Sequence, residues 1–363
     1  MTMRRGAGSK GALAALGLMF ALATPAQAQI GPIKTFRDWI AGCDNTKSCT
    51  ALSLPGGTED DIAFLRLDRP AGPDGASTLA LKLRAQKLKP SFAIALALDG
   101  APFPAAGRPL PATSIDGEVA EIAIPRAEAE ALITAARKAT TLTATIETES
   151  FKVSLAGSVA AMLWIDEQQG RLNTPTALIR KGTTGTAPAA PALPIIASKP
   201  ASGKPLAKAE AAALTKAMRA EIKRREPDSC EDMPDGFTDT DGAWALDGTL
   251  HLVAIACSRG AYNVSSQFWL VSGRDVAKAR PAPFEGASGK AASELVNADF
   301  DANTGQISFY AKARGLGDCG SSGSYGWDGK RFAVLQWSEM SECRLIPGDD
   351  WITLFRSKGS AAN

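Results

Sequence analysis

The chain has 363 residues, 45% of them hydrophobic and 21% charged, with 40 basic and 38 acidic side chains. That length is ample for two domains, each with a core of its own. The near balance of charge argues against nucleic acid or an anionic membrane surface as the main partner.

The first 28 residues read as an export signal. Arg4, Arg5 and Lys10 make a positive start, Leu13–Ala23 is uncharged and apolar or small, and Ala26-Gln27-Ala28 offers a small-x-small cleavage pattern. The apolar stretch is shorter than the roughly 20 residues that span a bilayer. Gly6-Ala7-Gly8 after the arginine pair favours the general secretory route over the twin-arginine one. Removing these 28 residues leaves 335, with 37 basic and 38 acidic side chains. No other stretch is long and apolar enough to be an integral membrane segment. The expected location is the periplasm or the secreted medium.

Residues 29–182 read as a β-rich domain. Phe36–Cys43, Cys49–Leu54, Ala63–Asp68, Thr78–Ala85, Phe92–Leu98 and Glu118–Ile124 are short runs bounded by turn-forming residues. Apolar residues alternate in Leu79-Ala80-Leu81-Lys82-Leu83, as a half-buried strand requires. A helix is predicted at Arg126–Lys138, with Pro125 ahead of it where a proline costs no helix hydrogen bond. Strands at Leu142–Glu147 and Phe151–Leu155 follow, and Ser158–Gln168 is read as a helix. Thr183–Pro205 is rich in Ala, Pro, Thr and Gly, and reads as a semi-extended linker.

Residues 206–363 open with a helix at Lys208–Arg225, where Leu214, Met218 and Ile222 recur on one face and Pro227 stops the run. Strands are predicted at Gly242–Trp244, His251–Cys257, Gln267–Val271, Asn297–Phe300, Gln306–Ala311, Phe332–Trp337 and Trp351–Phe355. The expected fold class is α+β and β-rich: two domains of mainly antiparallel sheet with a few helices.

Six cysteines behind an export signal read as a disulfide framework. Cys43 and Cys49 stand alone before the linker, at facing ends of two predicted strands, and are expected to pair. Six cysteines allow 15 connectivities, which sequence does not decide. For Cys230, Cys257, Cys319 and Cys343, the favoured pairs are Cys230–Cys257 and Cys319–Cys343. No pair has the CxxC spacing of a redox or zinc site, so the cysteines are read as structural.

No catalytic constellation stands out. His251 is the single histidine, which excludes a multi-histidine metal site, and nothing in the sequence places a serine beside it. Gly315-Leu316-Gly317-Asp318-Cys319-Gly320 matches G-x-G-x-x-G but lacks the following helix of a dinucleotide site. Asp299–Gly305 has half the ligands of a calcium loop and reads as a β-turn. Glu59-Asp60-Asp61 and Asp349-Asp350 are read as solvated turns, and Asp239–Gly242 as a turn. No cofactor or metal is predicted. Two loops beside cysteines stand out: Cys257–Asn263, with Arg259, Tyr262 and Asn263, and Arg314–Cys319, with Asp318, leading on to Trp327. Arginines and aromatics on disulfide-braced loops are typical anchors of a binding surface.

The motif Phe36-x-x-Trp39-x-x-x-Cys43-Asp44-Asn45, then Cys49-Thr50-Ala51, resembles the start of a six-cysteine family of exported bacterial proteins of unknown function, the domain of unknown function numbered eleven-seventy-six. The resemblance extends through Trp164–Arg171, Thr174–Gly182, Cys257–Asn263, Arg314–Gly320 and Trp327-Asp328-Gly329, and includes all six cysteines. The first part is also similar to the invasion-associated locus B family, in its Phe-x-x-Trp-x-x-x-Cys start, Leu98-Asp99-Gly100 and Leu155-x-Gly157. It departs from that family in having no cysteine within Ala101–Asp116. That likeness implies an exported, non-catalytic, β-rich module.

The leading functional expectation is a non-catalytic binding or envelope-interaction protein with an unidentified protein or small-molecule partner. A periplasmic hydrolase using His251 or an unseen carboxylate pair, and an inhibitor of cell-wall lytic enzymes, are the alternatives.

Overall fold

The computed structural model describes residues 1–2, 29–56, 62–85, 87–104, 107–231, 240–285 and 294–361. The segment expected to be an export signal, the Glu59-Asp60-Asp61 cluster and Asp239 lie outside the described residues, apart from the first two residues of the chain.

Period-two patterning drives most of residues 29–182 into strands. They are β1 (Ile33–Phe36), β2 (Trp39–Cys43), β3 (Cys49–Ser53), β4 (Ile62–Arg69), β5 (Thr78–Arg84), β6 (Ser91–Leu98), β7 (Ala101–Phe103), β8 (Leu110–Thr113), β9 (Val119–Ala123), β10 (Thr141–Ile146) and β11 (Glu149–Ser154). The helices are α1 (Arg126–Ala135) and α2 (Ser158–Gln168). One antiparallel sheet has the order β1-β2-β3-β4-β5-β9, and a second has the order β11-β10-β6-β7 with β8 also on β6. Leu65, Leu67, Leu81 and Leu83 of the first sheet pack with Ile94, Leu142 and Val153 of the second and with Leu132 of α1. The expected strand Phe36–Cys43 is a hairpin instead. Arg37 takes a φ of 58°, and Phe36 pairs with Trp39 across the turn.

The end of α2 is tied to the first sheet by buried polar groups. Asp166 accepts from the backbone N–H groups of Leu178 at 2.8 Å and Ile179 at 3.0 Å. Gln169 donates through Nε2 to the carbonyls of Lys47 and Arg69, and accepts from Arg171 Nε at 2.9 Å. Each buried polar atom that finds a partner in this way avoids a desolvation cost of about 1–3 kcal/mol.

The Ala/Pro-rich segment 183–205 lies along both halves. Ala187 is buried, and Pro188 approaches Gly170. Further on, β12 (Ile195–Ser198) forms a parallel pair with the last strand of the chain, and Lys199 donates its N–H to the Trp327 carbonyl at 2.7 Å. That pairing adds a strand that composition alone does not signal.

In residues 206–361, α3 (Lys208–Arg225) is followed by β13 (Gly242–Ala245), β14 (Leu250–Arg259), β15 (Val264–Ser272), β16 (Arg280–Pro281), β17 (Glu294–Val296), β18 (Asp299–Asp301), β19 (Gln306–Lys312), β20 (Gly320–Trp327), β21 (Phe332–Met340), β22 (Ile352–Arg356) and β23 (Lys358–Ala361). The order β13-β14-β15-β16, with β17 on β15, makes one sheet, and β18-β19-β20-β21-β22 makes the other. Alternation along β14 gives each face its own partner. Val253, Ile255 and Cys257 pack on Leu214, Met218 and Ile222 of α3. Leu252 and Ala254 face the core shared with Phe300, Ile307 and Phe332.

The Gly- and Ser-rich run 320–327, which is not among the strands expected from sequence, is the central strand β20. Small residues are needed there because neighbours crowd it: a Cβ on Gly323 would lie 2.2 Å from the Gln336 carbonyl oxygen.

A further apolar layer joins the two halves. Ile40, Leu52 and Phe64, on the outer face of the first sheet, pack with Met340, Ile346, Trp351, Ile352 and Leu354. Around this layer Lys82 Nζ meets Asp350 Oδ1 at 2.5 Å, and Arg344 Nε donates to the Pro55 carbonyl at 2.7 Å. Asn45 exchanges hydrogen bonds with the backbone of Arg356 at 2.8 and 2.9 Å. Gly42 permits the close approach, since a Cβ there would lie 2.7 Å from Ile352 Cγ2.

All six cysteines are bridged as expected: Cys43–Cys49, Cys230–Cys257 and Cys319–Cys343, at sequence separations of 6, 27 and 24 residues.

Two outcomes follow for stability. Gly42→Val is expected to destabilise the protein by about 1–3 kcal/mol through overpacking against Ile352 and Leu354, measured by urea unfolding against a Gly56→Val control at an open position. On chain entropy, removing Cys319–Cys343 costs about 3.5 kcal/mol and removing Cys43–Cys49 about 2.4 kcal/mol. Paired Cys→Ser variants compared by the same unfolding assay check that order.

Candidate functional site

The two cysteine-flanked loops predicted from sequence meet at one end of the C-terminal sheets. The first, Gly260–Asn263, connects β14 to β15 and closes on itself, with the Gly260 N–H donating to the Asn263 carbonyl at 2.8 Å. The Asn263 side chain then donates to the Lys312 carbonyl at 2.8 Å, reaching the strand that leads into the second loop. Asn297 fastens the pair. Its amide donates to Asn263 Oδ1 and to the Tyr310 carbonyl, both at 2.9 Å, while its Oδ1 accepts from the Val264 N–H at 2.8 Å. The positive φ of 46° at Asn297 is a conformation that asparagine tolerates better than most residues.

The second loop, between β19 and β20, is braced at several points. Arg314 Nε donates to Asp318 Oδ1 at 2.7 Å, and a second guanidinium nitrogen meets the other carboxylate oxygen. That oxygen also accepts from the Leu345 N–H at 2.7 Å. The Arg314 hydrogen bond, helped by that of Leu345 and opposed by burial, holds the Asp318 carboxyl below the usual carboxylate range. Tyr310 donates its hydroxyl to the Gly317 carbonyl at 2.6 Å, and its ring stacks on Trp351 at 4.9 Å. The Cys319–Cys343 bridge closes the loop's far end.

What remains outward is an apolar knob edged by arginine side chains. Tyr262 is 42% exposed and lies against Gly315, whose missing Cβ leaves room for the ring. Leu316 next to it is 51% exposed. Arg259 is exposed at the end of β14, and the Arg314 side chain is 41% exposed beside its carboxylate.

Of the residues singled out in the sequence, Tyr262, Asn263, Arg314 and Asp318 are brought together, with Arg259 at the edge of the first loop. Trp327 is not among them. It is buried in the C-terminal core with its ring 5.0 Å from Phe332. Asn297, Tyr310 and Leu316 were not singled out as site residues. Asn297 carried one sequence signal, an asparagine at the very start of a predicted strand, where a side chain can satisfy loose backbone groups.

His251 is half-buried near the start of β14, on the face turned to α3. Its Nδ1 is buried without a hydrogen-bond partner among the described residues. The nearby Asp247 carboxylate is taken up by the N–H groups of Thr249 and Leu250, both at 2.7 Å. The G-x-G-x-x-G segment leads into strand β20 rather than a helix. Asp301 accepts from the Asn303 N–H at 2.9 Å and the Thr304 hydroxyl at 2.8 Å, closing a turn between β18 and β19.

These features define a disulfide-braced, β-rich protein with loops rather than a helix-lined cleft at its most elaborated end. No helix among the described residues is long and apolar enough to cross a membrane. The chain belongs to the family described as Protein of unknown function (DUF1176), which matches residues 33–358. It is similar to the uncharacterized protein YpfG of Escherichia coli (strain K12), with 29% identity over 347 residues, covering 92% of this chain and 93% of that one. Among solved structures it is similar to the invasion associated protein b of Bartonella henselae, at 14% identity and a TM-score of 0.28. That match covers 38% of this chain and 99% of the other. At that TM-score the likeness supports neither a shared fold nor a shared role.

Asp318 gives the loop a pH signature. Its carboxylate is more acidic in the folded state than in the unfolded chain, so its contribution to stability is full above the unfolded value of about 4. The contribution is lost as pH falls through the folded value. Wild-type stability should therefore drop more steeply than that of Asp318→Asn between about pH 5 and pH 2, measured by thermal melts across that range. Parallel curves for the two proteins would refute this role.

Proposed function

We propose that this is an exported, non-catalytic binding protein built as two modules, residues 29–182 and 206–363. Its contact surface is the knob formed by Gly260–Asn263 and Arg314–Gly317. The observation that carries the proposal is the combination of a braced scaffold with exposed anchors. Hydrogen bonds from Asn263, Asn297 and Tyr310, the Arg314–Asp318 pair and a disulfide hold the loops. Tyr262 and Leu316 are left outward. Pre-ordered loops lose little entropy on binding, and aromatic and arginine side chains contribute most of the energy of protein interfaces. Exposed anchors of this kind suit a protein partner of the cell envelope. The three disulfides support export to an oxidising compartment.

The test is a pull-down from bacterial envelope extract with oxidised wild type and an Arg259→Ala, Tyr262→Ala, Leu316→Ala triple variant. A thermal melt of the variant first checks that its fold is kept. Loss of a partner captured by wild type is the expected result. Identical capture profiles would remove the knob from consideration.

A further inference from the structure

A second site lies on the opposite module, at the C-terminal end of β4. Arg69 is only 4% exposed, and Arg171 is fully buried close by. Asp166 is the carboxylate paired with Arg69, at 3.6 Å from Nη1. Two buried guanidinium groups thus share one carboxylate, which leaves the cluster one positive charge in excess. Arg171 is well supplied with acceptors: Gln169 Oε1 and Thr176 Oγ1, each at 2.9 Å, and the Gly72 carbonyl. Arg69 is not. One of its nitrogens donates to the Thr176 carbonyl, while Nε and Nη1 have no hydrogen-bond partner among the described residues. Burial, together with the nearby Arg171, pushes the Arg69 guanidinium down to about 10, so its charge is kept at a cost. Nε and Nη1 are closed off from solvent, so the excess charge of the cluster acts on its surroundings through its field, which an anion nearby would relieve.

Arg69 lines a cavity of about 370 Å³ between α1, the 73–77 turn and the 175–178 loop. Lys181 and Arg126 add positive charge at its walls, against Asp74 and Glu130, and Glu130 is engaged by Arg126 at 3.0 Å. Ala129, Ile133 and Pro175 supply an apolar side. Charged and apolar groups in one lining are the features of a pocket for a small amphipathic molecule.

We propose that this cavity binds a small organic carboxylate, its anionic end directed to Arg69 with Lys181 assisting and its hydrocarbon part against α1. The site is independent of the knob and needs neither loop. A carboxylate here would neutralise the excess charge of the Arg69–Arg171–Asp166 cluster. Lys181 in the lining can add a charge-assisted hydrogen bond to it.

The test is calorimetric titration of the oxidised mature protein with isovalerate and with acetate, against sodium chloride at matched ionic strength. Saturable binding is expected, with isovalerate about tenfold or more tighter than acetate because it buries additional carbons. Arg69→Gln should abolish binding, but that residue is buried and the variant could fail to fold. Two substitutions at exposed positions therefore carry the decision. Lys181→Glu is expected to weaken isovalerate about tenfold by reversing a nearby charge, and Ala76→Trp to block it by filling the cavity mouth. Absence of saturable isovalerate binding in folded wild type, or equal affinity in wild type and both exposed variants, would overturn the proposal. Neither result bears on capture of a partner by the knob.

Discussion

The apolar layer between the two halves is the contact on which the other features rest. It is built from alternate residues of strands whose opposite faces serve separate cores. In β2, Trp39 and Ala41 pack inward on the second sheet, and Ile40 between them points to β22. Cys319 and Met340 belong to the same layer, and Tyr310, Leu345 and Trp351 pack on or within it. The braced loop of Arg314–Cys319 therefore rests on a floor supplied by both halves. Burial of this kind is non-directional and contributes roughly in proportion to apolar area removed from water. The hydrogen bonds of Asn45, Lys82 and Arg344 around its edge fix the register of one half against the other.

The two candidate sites use charge in opposite ways. In the knob, Arg314 is half in solvent and fully matched by Asp318, so the pair positions backbone rather than offering charge. Near α2, Arg69 and Arg171 are withdrawn from solvent and matched by a single carboxylate, so charge is held in reserve. The first arrangement presents a shaped surface, while the second presents an unmet electrostatic demand next to a cavity.

Much of this was legible in the sequence, for reasons that can be named. The helix Lys208–Arg225 declares itself because Leu214, Met218 and Ile222 repeat at helical spacing and Pro227 ends it. The Cys43–Cys49 pair follows from its two cysteines standing alone before the Ala/Pro-rich segment, whereas the pairing of the other four, all on one side of it, is not decided by the sequence. Strand β20 was hidden because propensity is a poor guide where neighbouring strands leave no room for side chains: Gly323 and Gly326 are present for clearance. β1 and β2 merged into one expected run because Arg37 carries a positive φ that arginine does not advertise. At the site, the arginine, tyrosine and glycines of the knob were visible as composition. Asn297, more than thirty residues from Tyr262, enters only through tertiary folding. The Arg69 cluster was hidden for the same reason, since Arg69 comes from β4, while Asp166 and Arg171 come from α2 and the segment just after it.

The rigidity of the knob is read most directly by hydrogen exchange at its backbone amides in the oxidised native protein. The Val264 N–H is bonded to Asn297 Oδ1 and the Leu345 N–H to Asp318 Oδ2. If both halves hold these loops, the two amides should exchange as slowly as those in the middle of β20 and β21, opening only with global unfolding. Exchange at the rate of an unprotected loop, with the sheets still protected, would contradict a pre-ordered binding surface.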